Sequence, residues 1–429
     1  MMKTSANLRI NGTRLWQSLE DLEDMARVGP GVRGGCNRQA LTDEDKQGRD
    51  LFLSWCEAEG MSVSVDTMGN MFATLTGSEP ELDAVAIGSH LDTQPTGGRY
   101  DGLLGVLAGL EVVRALRERG IRTRRSITLV NWTNEEGTRF PPAMVSSGVF
   151  AGVHTQEWAY QIKDSRGITF GAELERIGYM GTESVGQRRF HAMFEYYIEQ
   201  GPILEAGNRD IGVVTHGQGL RWIEVALTGK EAHTGSTPMN MRANAGLGMA
   251  QITSTVHQVA MDHQPDAVGA VGHVEIFPNS RNVIPGQCIF TIDIRLPDQA
   301  TLDAMTARIE DEAGAIAATL GLTIEMETVG YFAPVTFDPD CVNLVRSVTE
   351  ELGLSHQDII SGVGHDACWV NRVPPTTMIM YPCVDGLSHN EDERITLEWA
   401  AAGNDVLLHS VIRMAEVSHQ GHAAELKQE

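Results

Sequence analysis

The sequence predicts an α/β protein, in which a catalytic domain with a mixed sheet flanked by helices is interrupted by a smaller αβ domain. Short apolar runs alternate with longer segments of helical period along all 429 residues, as in sheets whose strands are joined by helices. The histidine-bearing motifs lie before residue 213 and after residue 360. We therefore predict a catalytic domain in two parts, residues 1–212 and 330–429, around an inserted domain over residues 213–329.

The first part of the catalytic domain is predicted to contain two long helices and several strands. Thr42 is followed by Asp-Glu-Asp, which indicates a helix N-cap with an acidic first turn, and this helix should end near Gly60. A second helix is predicted from Leu103 to Arg119 because Gly120 follows it. The predicted strands lie at residues 61–65, 71–75, 84–88, 127–132 and 194–198.

The inserted domain and the end of the chain continue the alternation of strands and helices. Within the insert, strands are predicted at residues 221–228, 268–276 and 288–296, and helices at residues 240–263 and 301–320. After residue 330, the clearest signals are a strand at residues 376–381 and a long helix at residues 397–417. The insert is therefore predicted to be a small αβ domain in its own right.

Composition excludes several classes of protein. Lys and Arg number 33 against 57 Asp and Glu, a net charge of −24, whereas a nucleic-acid binder needs a basic surface. No window of 18 apolar residues is present, so no transmembrane helix and no membrane partner are predicted. The N-terminus lacks an apolar stretch of signal-peptide length, and the six cysteines occur singly. These features predict a cytoplasmic protein with reduced thiols.

Histidines and carboxylates cluster directly after the predicted strands. His90 and Asp92 form a His-x-Asp motif, in which we expect the carboxylate to hold the histidine ring. Asp101 lies in a glycine-rich loop, the pair Glu135-Glu136 follows another strand, and His389 follows a late strand. In an α/β sheet such loops line one crevice, and imidazole with carboxylate suits zinc or manganese. Taken singly, each of these residues is as readily explained by a solvated loop or a satisfied polar side chain.

Seven motifs in order resemble one family, the amidase, hydantoinase/carbamoylase family of the co-catalytic metallopeptidase superfamily. The motifs are GSHLDT (88–93), GGRYDG (97–102), NWTNEEG (131–137), IEQGP (198–202), NVIPG (282–286), GHDA (364–367) and DGLSH (385–389). The resemblance implies a homodimer, in which the inserted domain is the dimerisation domain. Its members include N-carbamoyl-L-amino-acid hydrolases, β-ureidopropionases of the yeast type and allantoate amidohydrolases.

The resemblance also implies roles for the clustered residues. His90 looks like a ligand of one metal ion, Asp101 like the carboxylate that bridges two ions, and Glu136 and His389 like ligands of the second ion. Glu135 matches the family's general base. Two ions roughly 3.5–4 Å apart polarise a carbonyl and activate water at neutral pH.

One position departs from the family pattern. The family has His-Ile-Glu-Gln-Gly-Pro, whereas Tyr197 stands here where that histidine would complete the site of His90 and Asp101. A phenol with a reference pKa near 10 is a poor ligand unless a metal lowers that value. We therefore expect nearer one ion than two per subunit, Zn²⁺ or Mn²⁺.

Four further residues are similar to the family's substrate-side residues. Arg295 resembles the arginine that holds the substrate carboxylate by paired hydrogen bonds, for which a planar guanidinium is suited. Asn282 and Gln200 look like amide partners of the substrate's oxygens or ureido group. His233 matches the histidine that is offered across the dimer to stabilise the oxyanion.

The sequence therefore predicts a metal-dependent amidohydrolase that cleaves a C–N bond of a small N-carbamoyl or ureido carboxylate, of the N-carbamoyl-L-amino-acid hydrolase type. Three alternatives stay open. The substrate could be allantoate or ureidoglycolate, because the site would be alike. It could be an ordinary amide or acylamino acid. The third alternative is a metal-impaired, non-catalytic dimeric binding protein, for which Tyr197 is the only support.

Overall fold

The computed structural model describes residues 7–25 and 35–417. Over this range the chain divides into two compact units. The larger unit comprises the residues up to Thr215, Phe337–Ile359 and the residues from Gly364 onward. The smaller unit comprises His216–Thr336 and Ile360–Val363.

Strands and helices alternate along most of the chain. The strands are β1 (Ser62–Val65), β2 (Met71–Leu75), β3 (Ala84–His90), β4 (Ile127–Trp132), β5 (Phe190–Ile198), β6 (Ile211–Gly217), β7 (Gly219–Thr228), β8 (Ala232–His233), β9 (Val268–Phe277), β10 (Val283–Ile284), β11 (Gln287–Leu296), β12 (Thr323–Phe332), β13 (Val335–Thr336), β14 (His356–Ser361) and β15 (Thr376–Tyr381). The helices are α1 (Gly12–Met25), α2 (Asp43–Ala58), α3 (Leu103–Glu118), α4 (Val145–Phe150), α5 (Gln156–Gln161), α6 (Phe170–Arg176), α7 (Ile203–Ala206), α8 (Ala245–Met261), α9 (Gln299–Leu320), α10 (Pro339–Glu351), α11 (Asp366–Val370) and α12 (Leu397–Ala415).

The larger unit is built on a mixed sheet, as the sequence predicted. Its strand order is β1-β2-β4-β3-β5-β15-β6, and β14 also pairs with β6. The four central strands, β4, β3, β5 and β15, are parallel to their neighbours in this set. The outer pairs, β1 with β2, β2 with β4 and β15 with β6, are antiparallel. The central strands are almost wholly buried, as expected for parallel strands covered on both faces.

This arrangement puts the chemically active segments at one edge of the sheet. The carboxyl ends of parallel strands meet at the same edge. His90 ends β3, the Thr133–Gly137 segment follows β4, and Glu199 follows β5. Helix α3 packs on β3 and β5, and α12 packs on β5 and β15, so two long helices support the strands that carry these segments.

The smaller unit is a four-stranded antiparallel sheet of order β12-β7-β11-β9, with α8 and α9 packed together beside it. Every second residue of β11 is buried, from Cys288 to Leu296. The intervening residues, which include Asp293 and Arg295, therefore point away from the core that the helices cover.

The predicted elements differ from the structure mainly at their ends. The helix predicted at residues 240–263 begins only at Ala245, because the side chain of Asn244 caps it. Residues Met239–Met241 before it form a separate 3₁₀ turn after Pro238. Short helices α4, α5 and α6 were not predicted, since segments of six or seven residues show too little periodicity. Among the described residues, no helix has both the length and the apolarity needed to cross a membrane.

Helix α2 carries two ion pairs of equal spacing but opposite exposure. Arg49 bonds to Asp45 at 2.9 Å, both side chains are fully buried, and Arg49 also donates to the carbonyl of Gly69. Lys46 pairs with Asp50 at 2.6 Å in an exposed position. Removing one partner of a buried pair strands a charge in a low-dielectric interior, whereas an exposed pair contributes little.

We therefore predict that Arg49→Met lowers the free energy of unfolding by about 3–5 kcal/mol, measured by urea denaturation. The matched variant Lys46→Met on the same helix should change it by at most about 0.5 kcal/mol. Equal effects of the two substitutions would contradict the assignment of Arg49 and Asp45 as a buried structural pair.

Candidate metal centre

Three predicted ligands converge at the carboxyl edge of the large sheet. His389 Nε2 lies 3.1 Å from Asp101 Oδ2 and 3.5 Å from Glu136 Oε2. One ligand atom from each of the three residues lies within 4.8 Å of the other two. Glu136 Oε1 is buried and has no hydrogen-bond partner among the residues that the structure describes. Two carboxylates, one imidazole and an unsatisfied buried oxygen fit a divalent cation such as Zn²⁺ or Mn²⁺.

The electrostatics of this group favour a cation as well. Burial raises the pKa of Glu136 well above its usual range, and the nearby Asp101 and Asp92 carboxylates raise it further. Burial also opposes ionisation of Asp101, yet the hydrogen bond from His389 and the nearby His90 outweigh it and lower its pKa. A positive charge held between the carboxylates would relieve their repulsion.

A glycine-rich loop presents Asp101. Gly102 adopts φ +72°, and a Cβ at this position would collide with the imidazole of His90. A Cβ on Gly98 would likewise collide with the carboxylate of Glu393. Glycine is therefore required here both for a left-handed backbone and for close approach of neighbouring side chains.

Polar residues that the sequence analysis did not identify hold the ligands in place. Gln94 Nε2 donates to Glu136 Oε2 at 2.5 Å. Glu393 Oε1 accepts the main-chain N–H groups of Tyr100 and Asp101, and its Oε2 accepts the hydroxyl of Ser388. Burial, and after it the charge of Asp101, raises the pKa of Glu393 to about 8. Gln94 and Glu393 lie outside the seven motifs, so no sequence signal marked them, whereas Ser388 lies inside the DGLSH motif without having been assigned a role.

Tyr197 lies between two of the predicted ligands. Its side chain is buried, and its Oη lies 2.6 Å from His90 Nε2. The same hydroxyl donates a hydrogen bond to Asp101 Oδ1. Burial and the surrounding carboxylates raise the pKa of Tyr197 well above its usual range, so it stays a neutral phenol. Because the Tyr197 hydroxyl fills the position between His90 Nε2 and Asp101 Oδ1, these three residues as placed here do not fit an ion of their own.

The expected role of Asp92 needs correction. His90 Nδ1 lies 2.9 Å from the main-chain oxygen of Asp92, whereas the Asp92 carboxylate is 3.7 Å from that nitrogen. A carbonyl oxygen only accepts, so the main chain and not the carboxylate orients the ring. The Asp92 carboxylate instead accepts the N–H groups of Glu135 and Glu136, each at 3.2 Å. Asp92 thus positions the two glutamates.

Glu135, the predicted general base, is buried beside this group. Its Oε2 lies 3.4 Å from His90 Nε2. Burial raises the pKa of Glu135 well above its usual range, and the charges of Asp366, Glu136 and Asp101 act in the same direction. A glutamate with a raised pKa is suited to accept and return a proton near neutral pH.

Gln200 also contacts the centre. Its Nε2 donates to Asp101 Oδ2 at 3.1 Å and to Ser388 Oγ at 2.9 Å. Its Oε1 is buried and has no hydrogen-bond partner in the part of the chain that the structure describes. This oxygen is therefore available as an acceptor for an N–H group.

In the smaller unit, strand pairing places His233 next to Asn282. Strand β8 pairs with β10, and the N–H of Thr234 donates to the carbonyl of Asn282 at 2.9 Å. The exposed ring of His233 accepts two main-chain N–H groups at Nδ1, from Gly235 at 3.0 Å and Ser236 at 3.3 Å. Because Nδ1 accepts, a neutral His233 carries its proton on Nε2 and presents a donor there.

Arg295 lies on the same unit and is already partly engaged. Its Nε and Nη2 donate to Asp293, with Nη2 at 2.8 Å, and its Nη1 donates to the carbonyl of Gly362 at 3.0 Å. A guanidinium has five N–H groups. Two of them, one on Nη1 and one on Nη2, thus have no partner among the described residues, and a carboxylate can accept such a pair.

Comparison with known proteins identifies the family. Residues 86–413 match the model of peptidase family M20/M25/M40. An N-carbamoyl-L-amino-acid amidohydrolase of Rhizobium meliloti is 61% identical over 417 residues, which cover 97% of this chain and 100% of the relative. A ureidoglycolate hydrolase of Arabidopsis thaliana is 31% identical, with 94% and 86% covered. The structure of an amidase of the hydantoinase/carbamoylase family from Burkholderia multivorans superposes with a TM-score of 0.93 at 50% identity, covering 95% of this chain and 98% of the other.

Proposed function

Since the chain belongs to peptidase family M20/M25/M40, and within it to the hydantoinase/carbamoylase amidases, we propose that it hydrolyses N-carbamoyl-L-amino acids. The observation that carries this proposal is the 61% identity to an N-carbamoyl-L-amino-acid amidohydrolase over almost the entire length of both chains. Water hydrolyses the bond between the carbamoyl carbon and its terminal nitrogen, which releases ammonia, and the remaining carbamate loses carbon dioxide to give the amino acid. No peptide bond is cleaved.

The metal belongs to the Asp101, Glu136 and His389 group, which supplies two carboxylates and one imidazole. When bound there, Zn²⁺ or Mn²⁺ would polarise the scissile carbonyl and lower the pKa of water. Gln94 holds Glu136, and Ser388 and Gln200 hold Asp101, so the ligand oxygens are oriented by hydrogen bonds from their own neighbours.

Glu135 moves the proton. It takes a proton from the attacking water and returns it to the leaving nitrogen, which departs as ammonia. The Asp92 carboxylate accepts the main-chain N–H groups of both Glu135 and Glu136, so it fixes the position of the base relative to the metal ligand. The raised pKa of Glu135 makes it basic enough to accept the proton and acidic enough to return it.

Three polar residues recognise the substrate in this proposal. The two unpartnered N–H groups of Arg295 bind the substrate carboxylate, and Asn282 contacts a substrate oxygen. The unpartnered Oε1 of Gln200 accepts an N–H of the ureido group. His233 donates from Nε2 to the oxyanion, in the tautomer that its Nδ1 contacts favour.

We also propose a cytoplasmic homodimer, in which His233 of one subunit serves the site of the other. The six cysteines are all within the described part of the chain, and none of them forms a disulfide, which agrees with a reducing compartment. A second candidate substrate is ureidoglycolate, because the relative from Arabidopsis thaliana that is 31% identical to this chain is a ureidoglycolate hydrolase. Allantoate carries the same ureido chemistry and belongs in the same comparison.

The first prediction tests the reaction itself. Ammonia release from N-carbamoyl-L-amino acids should exceed release from ureidoglycolate, allantoate and an N-acylamino acid. Glu135→Gln should lower kcat by roughly 10²–10⁴-fold, because the amide cannot accept the proton, while bound metal is retained. A preference for ureidoglycolate would replace the proposed substrate, and near-normal turnover by Glu135→Gln would remove Glu135 from the mechanism.

The second prediction concerns the carboxylate. Arg295→Lys keeps the charge but loses the planar pair of donors, so KM should rise by an amount equivalent to about 1–3 kcal/mol while kcat changes little. The control is an N-carbamoyl amine that lacks the carboxylate, on which the variant and the wild type should act alike. Equal turnover of this control and the amino acid by the wild type would exclude the carboxylate contact.

The third prediction concerns assembly. His233→Ala and Glu135→Gln should each be inactive alone, whereas an equal mixture should regain about a quarter of wild-type activity, because half of the dimers are mixed and each of these has one complete site. Subunit exchange must be verified independently, for example by energy transfer between labelled subunits. No recovery despite exchange would place His233 in its own subunit's site or outside catalysis.

A further inference from the structure

An ion bound by His90 and Asp101 would need His90 Nε2 and Asp101 Oδ1. The hydroxyl of Tyr197 already contacts both of these atoms, since it lies 2.6 Å from His90 Nε2 and donates to Asp101 Oδ1. The other ring nitrogen of His90 is occupied by the main-chain oxygen of Asp92. Both ring nitrogens of His90 thus already lie within hydrogen-bond distance of protein oxygens.

The two oxygens of Asp101 face different partners. Oδ1 accepts from Tyr197, whereas Oδ2 accepts from Gln200 and Ser388 and faces His389 Nε2 at 3.1 Å. The unsatisfied buried oxygen of the group, Glu136 Oε1, belongs to the residue that shares this His389 side. The free acceptor oxygen thus lies on the side of Glu136 and His389, whereas the Tyr197 hydroxyl fills the position between His90 Nε2 and Asp101 Oδ1.

The imidazole of His90 also has little room to leave this position. Its ring is fully buried, and it lies so close to Gly102 that a Cβ there would overlap it. Tyr197 is held in turn by β5, whose residues from Met193 to Ile198 pair in parallel with β15. Hydrogen bonds within a packed interior, and not loose side chains, keep the phenol between the two groups.

We propose that this protein is a single-ion amidohydrolase, in which the Tyr197 hydroxyl takes the place of one ion and His90 is a positioning residue instead of a ligand. His90 Nε2 lies 3.4 Å from Glu135 Oε2, so the ring that would otherwise bind metal helps to orient the general base. Asp101 is then a terminal ligand through Oδ2 and not a bridge between two ions. This inference rests on the proposed function only for the ion held by Asp101, Glu136 and His389.

The decisive measurement is the number and affinity of bound ions, not activity. Purified wild-type protein, stripped with a chelator and dialysed against Mn²⁺ or Zn²⁺, should hold about one tight ion per chain by elemental analysis. His90→Asn should keep this ion with less than about tenfold loss of affinity, whereas the matched variant His389→Asn should weaken it by more than about 100-fold. Circular dichroism and thermal denaturation verify that both variants fold.

Two substitutions at Tyr197 provide an independent test, because they do not alter the buried imidazole. Tyr197→Phe removes the hydroxyl but adds no ligand, so the count should stay at one. Tyr197→His supplies an imidazole and should raise the count toward two. His90→Asn should then lower the count of the Tyr197→His protein back to one, since only in that protein is His90 a ligand.

The outcomes separate this inference from the proposed function. Two tight ions in the wild type, or loss of the single ion in His90→Asn as in His389→Asn, would overturn the single-ion centre even if the protein hydrolyses carbamoyl amino acids. If the protein binds one ion but hydrolyses a different substrate, the single-ion centre would be supported and the proposed N-carbamoyl-L-amino acid substrate would be contradicted. Wild-type protein that binds no ion at all would contradict both.

Discussion

The mutual repulsion of buried carboxylates is the constraint on which the rest of the centre depends. Asp92, Asp101 and Glu135 are almost completely buried, and Glu136 is close beside them. Each carboxylate is acceptable in the interior only because donors or a cation meet it. Asp92 accepts hydrogen bonds from main-chain N–H groups, and Glu136 accepts one from the side-chain amide of Gln94. Asp101 accepts one from the Tyr197 phenol and faces the imidazole of His389. The pattern of these donors determines which oxygens remain available for an ion.

The centre is therefore asymmetric. The hydroxyl of Tyr197 lies against Oδ1 of Asp101, whereas Oδ2 faces His389 and the Glu136 carboxylate, whose Oε1 has no partner among the described residues. The pKa of Glu135 is raised by its burial and by the neighbouring carboxylates, whereas the pKa of Asp101, which accepts from the phenol and faces His389, is lowered. A raised pKa is useful in a base that must both take and return a proton.

In the smaller unit, too, hydrogen bonds from neighbouring groups determine which side-chain atoms remain free. Main-chain donors occupy His233 Nδ1 and so determine what Nε2 can do, and Asp293 occupies one edge of Arg295 and so determines which N–H groups remain. In both cases neighbouring groups of the protein determine which atoms remain free for the proposed substrate contact. Substitution of such partners would change recognition without removing the residue that performs it.

Local sequence was sufficient for the α/β class and for many of the longer elements, although it did not indicate α1, α10 or β12. It also marked the histidines and carboxylates after the strands, whose roles as ligands came from the resemblance to a family. Alternation of apolar runs, the N-cap at Thr42 and the glycines around Asp101 are short-range signals, and strand ends bring polar residues to one edge of a sheet. Asp101, Glu136 and His389 could thus be named together before the structure. Tyr197 could be identified only as a departure from a motif.

The contacts of Tyr197, which stands where the family has histidine, depend on the tertiary structure. The Tyr197 hydroxyl reaches His90 and Asp101 across 107 and 96 residues of sequence, and Glu393 supports the loop of Asp101 from 292 residues away. The carboxylate of Asp92 likewise meets Glu135 and not the neighbouring ring. Periodicity and spacing report which face of an element a residue occupies. They carry no information on which atoms meet across elements, and it is these long-range hydrogen bonds that determine how many ligand positions remain open.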